Sequence, residues 1–261
     1  MVFAHRRAMG VSLFIAVIGV GLIVAAFSTD HWVISHPVGK EAENASEFLN
    51  HTGGEVSFGL FSGSSRLNYA LGVRPVNLLI KCDTSENVCA YEGTDSLADM
   101  IRGYKNQSDT GSAHKSEEWF GLFSFPLYVT SLVMLVLALV SGLVTIGFTV
   151  FNVFGRPIET ITGPSGLFVW NTLSLLFVLV GIGVYLGLFL SQLKKNVLTE
   201  GQNNSLTSED RSDLDYSFYM VVGSAGAFFQ NLILLAISGK KFSCSYSSSG
   251  EKEVDNGMIL Y

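Results

Sequence analysis

Four long stretches of this chain, 8–27, 120–155, 163–193 and 216–239, contain no Asp, Glu, Lys, Arg or His. A helix rises about 1.5 Å per residue, so crossing a hydrocarbon core of roughly 30 Å takes about 20 apolar residues. Each stretch is that long. Buried helices of a soluble core carry a polar face, and these carry none. The expected fold class is therefore a membrane protein, mainly α. It is a bundle of four transmembrane helices (8–27, 120–153, 163–193 and 216–239) with a large first extracellular loop containing a small β element.

Positive charge near the spans sets the expected orientation. Arg6 and Arg7 precede the first span, and Lys240 and Lys241 follow the fourth. An even number of spans places both ends on one side, so 1–7 and the tail 240–261 are expected in the cytosol, with the short link 154–162. The loops 28–118 and 194–215 then face outward. Lys194 and Lys195 run weakly against this arrangement. The first span is followed by Asp30-His-Trp32 and lacks an Ala-x-Ala cleavage site, so it is expected to be a retained helix.

Two further signals agree with this map. Four Asn-x-Ser/Thr acceptors, at Asn44, Asn50, Asn106 and Asn203, all fall in the segments assigned outside, where N-glycosylation takes place. Cys82 and Cys89 lie in the first outer loop, where an oxidising compartment favours a disulfide over two free thiols. Closing so short a loop is worth about 2–3 kcal/mol. Cys244 lies just past the fourth span on the cytosolic side; it is a palmitoylation candidate or an inert thiol.

The net charge of −6 comes entirely from 28–118, with 13 acidic and seven basic residues, and no basic block exists to meet phosphates. Nucleic acid is thus not an expected partner. No ionisable residue stands at membrane depth, so transport is not indicated. The five histidines are scattered, and no nucleophile–base pair or phosphate loop is present. No enzyme activity, cofactor or metal is expected.

Within the spans, Asn171 lies eight residues after Gly163 and Asn231 eight before Gly239. Both therefore sit about 12 Å in from the same face, which predicts a hydrogen bond between the third and fourth spans. Small residues recur four apart at Gly21–Ala25, Gly183–Gly187 and Gly223–Ala227. The expected role of Gly183 and Gly187 is close helix packing within the bundle. Homo-oligomerisation or partner helices are the alternative.

In the first outer loop, 56–61 and 76–80 read as strands, with a Gly/Ser turn at Ser62–Ser65. Residues 106–116 read as a solvated linker, and Trp32 and Trp119 as anchors at the membrane surface. The chain ends Met258-Ile-Leu-Tyr261. Apolar residues at the last and third-from-last positions suit a PDZ groove, which captures a free carboxylate. A bland apolar ending is the alternative.

Several motifs resemble the clarins, four-span proteins of sensory hair cells. They are Phe58-Gly-Leu-Phe-Ser-Gly63, Leu71-Gly-Val-Arg-Pro75, 151–160 (Phe-Asn-Val-Phe-Gly-Arg-Pro-Ile-Glu-Thr) and 163–168 (Gly-Pro-Ser-Gly-Leu-Phe). The Asn44 sequon, Tyr216-Ser-Phe218 and the Ile-Leu-Tyr ending fit the same pattern. The likeness covers nearly the whole chain except roughly 81–118. Where clarins often carry a cysteine, this chain has Tyr69-Ala70, and its cysteine pair falls in what resembles an insertion. The chain is thus identified as a divergent member. The wider claudin-like pattern Trp…Gly-Leu-Trp…Cys…Cys is echoed with Phe61 in place of its second tryptophan.

The resemblance implies a plasma-membrane organiser of complexes linked to the cytoskeleton, with a hair-cell or synaptic role. Gly59, Leu60 and Phe61 would present a surface to other membrane proteins. Ile259, Leu260 and Tyr261 would hold a PDZ or actin-linked adaptor. Membrane lipids surround the spans, and a homo-oligomer stays open. A claudin-like adhesion protein and an auxiliary subunit of an ion channel are the alternative readings.

Overall fold

The computed structural model describes residues 2–39, 52–69, 72–93, 95–109, 121–154, 164–195, 197–199, 202 and 206–250. Five helices and nine strands follow one another among them. Helix α1 (Val2–Phe27) leads into β1 (Val33–Ser35) and β2 (Val38–Gly39). Strands β3 (Thr52–Phe58), β4 (Ser62–Tyr69), β5 (Val73–Asp83) and β6 (Val88–Glu92) come next, then α2 (Leu97–Asp109). Strand β7 (Leu122–Ser124) opens directly into α3 (Phe125–Phe154). Helix α4 (Pro164–Leu188) widens into a π-helical end, Phe189–Leu193. Strands β8 (Leu206–Thr207) and β9 (Ser212–Leu214) precede α5 (Tyr216–Gly250).

Four segments are long and apolar enough to cross a membrane: Met9–Phe27, Phe125–Phe154, Gly166–Leu193 and Tyr216–Ile237. The protein is a multi-pass membrane protein. Its third helix begins at Phe125 rather than at 120, because Leu122 and Phe123 are taken into the sheet opposite Ala90 and Cys89.

The chain divides into two compact units. The first comprises Met1–Leu22, Val136–Val178 and Gly223–Tyr261, and its described residues are helical. Its interior includes Met9, Leu167 and Leu235, with Phe148 and Val153 packed against them.

The second unit, Ile23–Leu135 with Leu179–Val222, holds the sheet and the adjoining helix ends. The sheet has nine strands in the order β7-β6-β5-β4-β3-β1-β9, with β2 and β8 beside that path. It is more extensive than the small element expected: seven strands lie between the first two spans, and two more, β8 and β9, join from the second loop. Val38 and Gly39 of β2 pair with Thr207 and Leu206, and β1 pairs with β9 from Val33↔Leu214 to Ser35↔Ser212.

Three local expectations are corrected. Ser62–Ser65 is not a turn but the start of β4, paired to β3 on one side and β5 on the other. The small residues there have a packing reason: a side chain at Gly63 would meet the Ser57 carbonyl oxygen at 2.5 Å. Residues 106–109 belong to α2, whose Leu97, Met100, Ile101 and Tyr104 fall on one helical face and pack on Val88, Ala90 and Leu122. Trp32 is not a surface anchor. It is buried, donates through Nε1 to the Ala26 carbonyl at 2.7 Å, and meets the rings of Tyr185 and Phe218. Trp119 lies outside the described residues.

Candidate interaction surfaces

Inside the helical unit, polar side chains hold the apolar helices together. Asn231 donates from Nδ2 to Asn171 Oδ1 at 3.0 Å, and Ser12 donates to Asn231 Oδ1 at 2.7 Å. Asn171 in turn donates to the Phe228 carbonyl at 2.8 Å. All three polar residues are buried, so each of these bonds satisfies a group that lipid could not. The clasp thus joins α1, α4 and α5. Ser12 was not legible as its third member, since a lone serine in an apolar run has no distinguishing spacing.

Helix α3 reaches α4 by hydroxyls. Ser174 donates to Ser141 Oγ at 2.9 Å, and Ser141, Thr145 and Thr149 each return a bond to a carbonyl four residues earlier. None of these groups ionises near neutral pH. The arrangement does the chemistry of association: short dipolar contacts between backbones that would otherwise meet only through dispersion.

Close approach occurs at glycines other than those expected. A side chain at Gly19 would lie 3.2 Å from the buried Phe228 ring, and one at Gly142 would lie 2.7 Å from Val20 Cγ2 and 3.2 Å from the same ring. At Gly183 and Gly187 a Cβ would meet nothing within 4 Å, so among the described residues no helix packs against them. That part of the expected packing is corrected. The four-residue spacing describes one face of a helix and does not say whether another helix covers it.

In the sheet unit, the turn Gly59–Phe61 is fixed from three sides. Gly59 presses on the chain after α1, where a Cβ would meet Asp30 Cα at 2.7 Å and the Thr29 carbonyl oxygen at 2.8 Å. The Tyr91 hydroxyl donates to the Gly59 carbonyl at 2.6 Å, and Tyr128 donates to the Leu60 carbonyl at 2.7 Å. Ser62 Oγ donates to Asp30 Oδ1 at 2.6 Å. Leu60 is 1 % exposed and Phe61 is 49 % exposed. Gly59 and Leu60 are therefore structural rather than presented to a partner, and Phe61 alone of the three faces outward. The inward turn follows from geometry: only glycine fits against Thr29–Asp30, and that contact drives Leu60 into the interior.

The two tyrosines belong to a run of ring contacts through Phe58, Tyr91, Phe123 and Tyr128, with centroids 4.5, 5.4 and 5.7 Å apart. Tyr91 is half-buried, and its hydroxyl is engaged by the carbonyl of the buried Gly59. Burial, then Tyr185, Tyr128 and Asp30 nearby, push its pKa well above the ordinary 10.0. It stays a hydrogen-bond donor throughout the physiological range.

Cys82 and Cys89 form a disulfide between directly opposed residues of β5 and β6. The turn between them is further held by Asp83, whose Oδ1 accepts from Ser85 N at 2.8 Å and Ser85 Oγ at 2.5 Å. Those bonds hold the exposed Asp83 carboxyl below the usual carboxylate range. The sheet also lines a cleft of about 240 Å³, whose wall includes Leu67, Val76 and Leu78 and whose polar residues include Arg74, Asp95 and Gln202. Thr199 donates to Asp95 there at 2.6 Å.

Among the other expected site residues, Asn106 is exposed on α2. Cys244 falls on α5, with its side chain outside the described set. Asn44, Asn50, Asn203, Ile259, Leu260 and Tyr261 lie outside the described residues. Among the described residues, no three His, Cys, Asp or Glu side chains converge as a metal would require.

Residues 122–235 match a family model described as Clarin-2-like. Human clarin-3 is 32 % identical over 101 residues, 37 % of this chain and 43 % of the relative. Rat clarin-3 is 29 % identical over the same shares. The match thus spans less than half the length of these two relatives. Mouse clarin-2 is 26 % identical over 228 residues, 83 % of this chain and 81 % of the relative.

Proposed function

We propose that this chain, a divergent member of the clarin family, is a non-enzymatic organiser of membrane complexes linked to the cytoskeleton. It holds other membrane proteins through its sheet and helices, and a cytosolic adaptor through Ile259–Tyr261. The observation that carries this reading is structural investment in a fixed display surface. Segments from both long loops are drawn into one nine-stranded sheet, braced by a disulfide and two tyrosine latches. A rigid platform presents a constant surface and spends no ordering entropy on binding. The reading places the protein in the plasma membrane with both termini cytosolic and N-glycans at Asn44, Asn50, Asn106 and Asn203. A role in hair cells or sensory synapses follows the family likeness.

Proximity labelling from the C-terminus tests the adaptor part. The intact chain is compared with one lacking Ile259–Tyr261. PDZ or actin-linked proteins should be labelled by the first and lost from the second. An unchanged set dominated by channel or junction proteins rejects it.

A second reading has its own support. The uncovered Gly183 and Gly187 would admit a foreign helix at close range, as in an auxiliary subunit of a larger membrane protein. Gly183→Leu with Gly187→Leu should then abolish co-purification of the partner in mild detergent while leaving the chain's own thermal stability unchanged.

A further inference from the structure

The outward corner of the sheet carries two large apolar side chains, Phe61 at 49 % and Leu79 at 59 % exposure. They are neighbours, since Ser62 pairs with Leu79 and the Ile80 amide donates to the Phe61 carbonyl at 3.1 Å. We infer that Phe61 and Leu79 insert into the boundary between lipid headgroups and acyl chains, tacking the sheet to the bilayer surface. This rests on reading Met9–Phe27 as a membrane span.

Depth is what singles out lipid as the occupant. Phe27 is the last residue of that span, and its ring meets the Phe61 ring edge-on with centroids 6.3 Å apart. One turn earlier on α1, Val24 is exposed, so the apolar surface of the span runs without interruption through Phe27 to Phe61. The turn cannot drift from this level, because Gly59 is pressed on Thr29–Asp30 and Ser62 is bonded to Asp30. Asp30 and Ser62 also mark where polar groups begin. Phe and Leu side chains on a surface bordered by polar groups are favoured at such a boundary, buried about 5–10 Å into the headgroup/acyl region. Farther along the same strands, exposed Arg66 and Asn77 belong to water.

The test uses the full chain with Cys244→Ser, reconstituted at one copy per phosphatidylcholine nanodisc. An environment-sensitive fluorophore is placed on Phe61→Cys, on Leu79→Cys and, as a water-facing control, on Arg66→Cys. Phe14→Cys, on the exposed face of α1, is the control for the span itself. Labels at 61 and 79 should be quenched by lipids carrying a shallow nitroxide and show several-fold weaker iodide quenching than the label at 66. Iodide quenching at 61 and 79 equal to that at 66 overturns the inference, provided the label at 14 is quenched by lipid. Loss of lipid quenching at 14 as well would instead defeat the span reading. Shielding that appears only at two copies per disc assigns the corner to a second copy of the chain and likewise overturns the inference.

Discussion

Asn231 and Asn171 share a 3.0 Å side-chain hydrogen bond across 60 residues of sequence, with both amides fully buried. Substituting either one by leucine leaves one buried polar atom of the other unpaired, Asn231 Nδ2 or Asn171 Oδ1, while the bonds to Ser12 and to the Phe228 carbonyl remain available. A double-mutant cycle in reversible detergent unfolding should give a coupling of about 0.6–2 kcal/mol. A coupling near zero would show that each amide finds another partner.

Glycines of this chain should divide sharply under substitution. Gly59→Ala forces a methyl against backbone atoms of Thr29 and Asp30, which cannot rotate away. It should destabilise by about 1–3 kcal/mol. Gly183→Ala meets only open space and removes a flexible residue from a helix, so it should be neutral or stabilising by up to about 1 kcal/mol. Thermal melts of the two purified variants settle the contrast.

Tyr91→Phe removes the bond to the Gly59 carbonyl and should cost about 1–3 kcal/mol, the usual penalty for leaving a buried acceptor unpaired. It also carries a pH signature. The folded pKa of Tyr91 lies above the ordinary 10.0. Below that value both folded and unfolded chains keep the proton, and stability is unaffected. Above it the unfolded chain ionises first, so stability falls as pH rises. Melts between neutral pH and about pH 11 should show this fall, and Tyr91→Phe should make it shallower.

Reducing the Cys82–Cys89 bond should destabilise the sheet by up to about 2–3 kcal/mol, the loop-closure value for so short a loop. Hydrogen exchange of the Lys81–Ala90 region, with and without reductant, gives the number.

The spans were legible because apolar length is a direct demand of the bilayer, and Asn171 and Asn231 were matched by equal distance from the helix ends. The sheet was less so. Strands β8 and β9 have two and three residues, too few for any alternation to register, and their pairing is set by distant partners. Ser62–Ser65 has turn composition, yet neighbouring strands select those small residues for closeness. Gly59–Phe61 was visible as a motif, but its role was not, since sequence shows an apolar triplet and not which member is pushed inward. Helix α2 hid within a polar run because only four apolar positions anchor it.

Strand–helix junctions in the sheet unit leave almost no slack. Ser124 passes directly into α3, one residue separates β9 from α5, and five separate α1 from β1. The β1–β9 pairing is continued toward the helices by the Asp215 amide on the Trp32 carbonyl and the Ser217 amide on the His31 carbonyl. A tension applied to the sheet therefore has no spring to stretch before it reaches three helix ends together. Mechanically, a pull on the sheet would be felt as a shared load at those helix ends rather than as the bending of a loop.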